Sequence, residues 1–137
     1  MDSRLIGFFS GFPKLQLELM RNTKSDVAIR NADAVVLGLS AGSINMAIRS
    51  LDTKESPVPY DGLGLADITV KPHFELDNQQ VLSTLLQISM ELPICAMEDD
   101  SAIFVAGDSI SYTGQIHWVS KGKICPLSQE NLRIKNA

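Results

Sequence analysis

The sequence predicts an α/β protein built on a mainly parallel sheet, and three observations lead there. Short apolar runs alternate with segments of helical periodicity through most of the chain. One of those runs, residues 34–39, is apolar throughout, which suits a strand covered on both faces of a parallel sheet. After residue 101 the pattern changes to successive short β segments with Gly-containing turns, which predicts an antiparallel hairpin extension at the C-terminal end.

The first strand is residues 4–9, Arg-Leu-Ile-Gly-Phe-Phe, stopped at Ser10-Gly11. Pro13 suits the first turn of a helix, where a missing N–H is no loss, and Leu15, Leu17, Leu19 and Met20 give that helix an apolar face. Residues 34–39 form the second strand and residues 41–49 the helix after it. Residues 53–65 carry Ser56-Pro57-Val58-Pro59-Tyr60-Asp61-Gly62 and read as a long loop. Residues 67–71 alternate like a strand and stop at Pro72-His73-Phe74. Asp77 is placed to cap a helix running to about Glu91, with Val81, Leu82, Leu85, Leu86, Ile88 and Met90 near its apolar face. Strands follow at residues 94–97, 102–105, 109–112, 115–119 and 124–127, with turns at Gly107-Asp108 and Lys121-Gly122-Lys123. Residues 128–137 are polar and are expected to form a loosely ordered tail. Residues 1–137 read as one domain, long enough for a real core.

Composition narrows the function classes. A chain that is 45% hydrophobic and 20% charged is globular. A net charge of −4 disfavours nucleic acid, whose phosphates need a basic face. No apolar run approaches the roughly 20 residues of a membrane span, and the run at residues 5–9 is too short for a signal-peptide core, so a cytoplasmic protein is expected. Cys95 and Cys125 lack C-x-x-C spacing and are expected as buried thiols in a reducing compartment. No phosphate loop, dinucleotide fingerprint or metal-ligand cluster is present, so no cofactor and no metal is expected.

The chemistry concentrates at Gly38-Leu39-Ser40-Ala41-Gly42, between a predicted strand and a predicted helix. In that context G-x-S-x-G becomes a nucleophile elbow: a sharp turn exposes the serine hydroxyl, and its neighbours stay small so that substrate can approach. A serine nucleophile needs a base, and the chain has two histidines. His73 stands at the C-terminal end of a predicted strand, where sites of α/β proteins gather; His117 lies inside a strand beside Trp118 and reads as a packing or surface residue. Glu98-Asp99-Asp100 supplies carboxylates at the end of the strand at residues 94–97, one of which could orient an imidazole. The order Ser40–His73–acid is preferred over Ser40–Asp99–His117.

Three separated stretches carry a resemblance to a known family. Gly38-Leu39-Ser40-Ala41-Gly42-Ser43-Ile44-Asn45-Met46-Ala47, then Gly62-Leu63-Gly64-Leu65 leading to Val70-Lys71-Pro72-His73-Phe74, then Met97-Glu98-Asp99-Asp100-Ser101-Ala102, closely resemble the peptidase E (aspartyl dipeptidase) and cyanophycinase family. Phe9-Ser10-Gly11-Phe12-Pro13 resembles the family's Gly-Gly turn, with Ser10 in place of the first glycine. The resemblance implies a three-layer, class I glutamine amidotransferase-like (flavodoxin-like) fold. It also implies a serine peptidase acting on small peptides through Ser40 as nucleophile, His73 as base and Asp99 as the third member, with Glu98 the alternative acid. The oxyanion hole would be the N–H groups of Ala41 and of the turn at Gly11, where Ser10 would be strained if its position needs positive φ. Against the family pattern the chain is expected to lack N-terminal β and α elements. That leaves an open apolar sheet edge and an expectation of self-association or of a partner there.

Overall fold

The computed structural model describes residues 4–54 and 56–135. It is a mixed α/β structure, and its backbone separates into two compact units, Met1–Ile68 and Thr69–Ala137.

In the first unit, β1 (Leu5–Phe8) and β2 (Val35–Gly38) pair in parallel, Leu5 opposite Val35 and Phe8 opposite Gly38. Between them run α1 (Pro13–Asn22), with its proline in the first turn, and α2 (Ser25–Asn31), which the sequence reading did not anticipate. Burial along β2 alternates, and this differs from the two-sided burial expected of an unbroken apolar run. Phe8 faces a core with Leu17, Ile29 and Leu63, against which Ile6 and Val36 also pack. On the other face Leu5 and Val35 are each 68% exposed and Leu37 is exposed as well. Both helical segments between β1 and β2 serve the one core face.

After β2, α3 (Ala41–Asn45) is a single short helix rather than the expected run to residue 49. Arg49 opens β3 (Arg49–Asp52), which pairs antiparallel with β4 (Ser56–Asp61), so the expected loop at residues 53–65 is mostly a hairpin. The prolines misled the reading: the register shifts between Ser50 and Asp52, and Pro57 and Pro59 sit in that irregularity, where the ladder makes no demand on the N–H they lack. The chain then folds back on α3. Leu63, Gly64 and Leu65 donate backbone N–H groups to the carbonyls of Asn45, Ala47 and Met46, which caps the helix end. Gly62 makes this return possible, since a Cβ there would sit 2.2 Å from the Ala47 carbonyl oxygen.

The second unit is organised on a four-stranded sheet of β5 (Val70–Lys71), β6 (Ile94–Met97), β9 (Ile116–Ser120) and β10 (Lys123–Pro126), in the order β10-β9-β6-β5. β5 and β6 are parallel, while β6–β9 and β9–β10 are antiparallel. The Lys121-Gly122 turn closes the last hairpin with both residues at positive φ, as a two-residue hairpin turn requires. α4 (Gln79–Ile88) lies between β5 and β6 in sequence and packs on β9; its cap is Asn78, whose side chain accepts from the Val81 N–H, rather than Asp77. β7 (Ala102–Ala106) and β8 (Ser109–Thr113) form a separate hairpin through Gly107-Asp108.

Two further expectations change. The polar tail contains α5 (Gln129–Lys135), opened by reciprocal bonds between Ser128 and Asn131 and anchored by buried Leu132; residues 136 and 137 lie outside the described residues. Cys95 is buried in β6, but Cys125 is exposed on β10, which has a partner on one side only. Among the described residues no helix is long and apolar enough to cross a membrane, and no group of three or more His, Cys, Asp or Glu side chains could hold a metal ion.

Candidate functional site

The candidate residues divide between the two units: Gly11, Ser40 and Ala41 belong to the first, His73, Glu98 and Asp99 to the second.

Ser40 sits between the end of β2 and the start of α3 with φ 54° and ψ −116°. A non-glycine residue rarely adopts that conformation, and it persists only where the surroundings over-determine it. The surroundings here are the two flanking glycines. A Cβ on Gly42 would come within 2.1 Å of the Phe8 carbonyl oxygen, and one on Gly38 within 2.7 Å of the Gly42 backbone. Helix and strands therefore meet backbone to backbone, and the turn that joins them is left sharp. The Gly42 N–H donates to the carbonyls of both Leu39 and Phe9, while the Leu39 N–H donates to Phe8. Downstream, the Ser40 carbonyl accepts from the Ser43 hydroxyl at 2.6 Å and from the Ile44 N–H.

The same contacts tie the Ser10-Gly11 turn to the elbow. The Phe9 carbonyl accepts from Gly42 N–H on one side and from the Gln16 side-chain amide of α1 at 2.9 Å on the other. Gln16 in turn accepts from Asn45, a fully buried residue at the end of α3. The Asn45 amide also donates to the Pro13 carbonyl at 2.8 Å, and its oxygen accepts from the Tyr60 hydroxyl at 3.0 Å. One asparagine thus joins α1, α3 and β4. Sequence reasoning missed it; a polar residue amid the apolar positions of the elbow helix was the available signal. The strain anticipated for Ser10 does not arise, because Gly11, with φ 147°, takes the glycine conformation and Ser10 has no positive φ.

In the second unit the chain leaves β5 through Pro72 and reaches His73, which also has positive φ, 54°. Among the described residues four non-glycine residues have positive φ; Lys24 lies between α1 and α2 and Lys121 in a hairpin turn, so the two outside such connections are Ser40 and His73. The Phe74 N–H donates to the Met97 carbonyl, which carries the parallel ladder one step past β5 and β6 and sets His73 beside the turn after β6. There His73 Nδ1 lies 2.6 Å from Asp99 Oδ1. Their side chains are 58% and 78% exposed, so the pair is water-screened and adds little to stability; what it does is orient the ring. In the tautomer where Nδ1–H donates to Asp99, Nε2 is left as the acceptor, which is the form a general base needs. Glu98 turns elsewhere: its carboxylate is 2.7 Å from His117 Nε2.

Comparisons with known proteins bear on the fold and the family. No curated protein matches. Among solved structures the chain is similar to the crystal structure of a peptidase from an acI-B1 Actinobacterium, with a TM-score of 0.69 and 20% identity. That match covers 93% of this chain and 57% of the other, so the chain spans little more than half of that relative's length. At this identity the likeness speaks for the fold. The model of peptidase family S51 matches residues 14–113, a span that holds the strained serine, the His73–Asp99 pair and most of the chain between its ends. This chain belongs to peptidase family S51.

Proposed function

We propose that the protein is a serine peptidase that hydrolyses small peptides, Asp-containing dipeptides among them, through Ser40, His73 and Asp99. The observation that carries this reading is the positive φ of Ser40 on a strand–turn–helix elbow in a chain of family S51. In this mechanism His73 Nε2 takes the proton of the Ser40 hydroxyl as Oγ attacks the peptide carbonyl, then delivers it to the leaving amine. The N–H groups of Ala41 and Gly11 would hold the oxyanion. Water activated by the same imidazole then hydrolyses the acyl-enzyme and returns Ser40. Asp99 accepts the Nδ1–H hydrogen bond and so keeps the ring in the required tautomer.

The finer fold expectation, a three-layer sheet of the glutamine amidotransferase-like type, belongs to the same proposal and is supported by the solved peptidase's likeness. So does a cytoplasmic location, the reading favoured by two cysteines that lack C-x-x-C spacing. Self-association is proposed as well: the uncovered face of β1 and β2, with Leu5, Val35 and Leu37, is apolar enough to favour it.

The test is a panel of dipeptides with and without an N-terminal Asp, together with longer peptides, incubated with wild type, Ser40→Ala and Asp99→Asn and read by mass spectrometry. Cleavage of dipeptides by wild type alone is the expected result. A folded wild type that cleaves none of them would contradict the reading and leave a binding module of peptidase descent.

A further inference from the structure

We infer that His117, held by Glu98, is the positioning residue that sets the His73–Asp99 pair. The two members of that pair come from different segments, and each has a sequence neighbour fixed to the same imidazole. Phe74, next to His73, packs its ring edge-on against the His117 ring, centroids 5.3 Å apart at 63°. Glu98, next to Asp99, places Oε2 at 2.7 Å from His117 Nε2. The inner layer is the more sheltered, with the Phe74 side chain fully buried, that of His117 13% exposed and that of Glu98 37%, whereas His73 and Asp99 stand in water. An exposed ion pair contributes little energy towards fixing where its two members stand. The inner layer can fix them, because a part-buried hydrogen bond to a ring packed on Phe74 has fewer alternative arrangements than a pair standing in water.

The backbone around this layer is consistent with a fixed platform. His117 is opposite Ala96 in the β6–β9 ladder, so its Cα is set by the sheet. The Glu98 N–H donates to the Gln115 carbonyl, and the Glu98 carbonyl accepts from both the N–H and the hydroxyl of Ser101 at 3.1 and 2.6 Å. Gly114 packs against the Asp100 carbonyl so closely that a Cβ would lie 2.3 Å away. The turn at residues 98–101 is therefore pinned on the side facing β9, while Asp99 projects from its free side. Moving the His117 ring would release Phe74 and Glu98 together, and with them the two residues that must meet.

The inference rests on the reading of His73 and Asp99 as base and orienting acid, but its test needs no turnover. Long-range proton–nitrogen NMR spectra of the neutral His73 ring report which nitrogen carries the proton. In wild type the proton is expected mainly on Nδ1. His117→Phe, which keeps a ring against Phe74 but removes the nitrogen, and Glu98→Ala should both reduce that form to a minority. Glu98→Gln, which still accepts a hydrogen bond, should restore it. In the peptidase assay the same two damaging variants should lose on the order of tenfold or more in kcat with KM within about twofold, as expected for a misplaced catalytic group. Thermal melts identify any variant that has simply unfolded, and Glu98→Ala stands in if His117→Phe does so. Folded His117→Phe and Glu98→Ala proteins with the wild-type His73 tautomer would overturn the inference. A wild type that shows the tautomer response but hydrolyses nothing would instead contradict the peptidase reading and leave the positioning intact.

Discussion

His73 and Asp99 are 26 residues apart in the chain and 2.6 Å apart in space, joined through the imidazole Nδ1. The parallel pairing of β5 with β6 brings them together: each follows directly on the C-terminal end of one of two neighbouring strands, with one residue of slack. Glu98, one residue earlier, is committed to His117.

That arrangement separates the two acids by experiment. Asp99→Asn keeps the shape of the side chain but no longer favours a proton on Nδ1, and hydrolysis should fall on the order of 10³- to 10⁴-fold in kcat. Glu98→Gln retains a hydrogen bond to His117 and should stay within about tenfold of wild type. Steady-state kinetics on a cleaved dipeptide makes the comparison, and the reverse ranking would move the acid role to Glu98.

Backbone strain at Ser40 predicts a gain in stability when its side chain is removed. Ser40→Gly relieves a φ of 54° that costs a side-chain-bearing residue about 1–3 kcal/mol, whereas Ser40→Ala keeps the strain. Ser40→Gly should therefore melt several degrees above Ser40→Ala, with both inactive. Equal melting temperatures would show that the turn relaxes.

The elbow glycines predict the opposite sign. Gly42→Ala drives a methyl group into the Phe8 carbonyl, a backbone atom with little room to retreat, and should destabilise by about 1–3 kcal/mol or more. Gly11→Ala meets no atom but faces a φ of 147°, so its cost is conformational only and should be smaller. Urea unfolding of the two variants gives the ordering.

Asn45 carries the third stability prediction. Asn45→Ala removes the bonds this buried residue makes to the Tyr60 hydroxyl, Gln16 Oε1 and the Pro13 carbonyl, and should destabilise by about 1–3 kcal/mol. Because Gln16 also holds the Phe9 carbonyl, the variant should loosen the Ser10-Gly11 turn. Amide exchange at residues 9–11, faster than in wild type, would register this.

Much of this was legible in the chain, and where it was not the reasons are physical. The strand at Leu5–Phe8, the elbow strand, the proline-led first helix and the hairpins at Gly107 and Lys121 follow from local pattern and turn chemistry. The β3–β4 hairpin was hidden because Pro57 and Pro59 argue against a strand unless a register shift accommodates them. α2 (Ser25–Asn31) was hidden because seven residues, two of them buried, give too little periodicity to register. α5 is anchored by buried Leu132, which a largely polar stretch does not advertise. For the site, Ser40 and His73 stood out by motif, but the pairing of Glu98 with His117 depends on the β6–β9 register, which no local spacing reveals.

The central claim is that Ser40 is a nucleophile activated by His73. Treating the protein with a fluorophosphonate serine-hydrolase probe and reading the adduct by mass tests it most directly. The account predicts one adduct on Ser40 in wild type, none in Ser40→Ala, and at least a hundredfold slower labelling in His73→Ala. Labelling of folded His73→Ala at the wild-type rate, or no labelling of folded wild type, would contradict it.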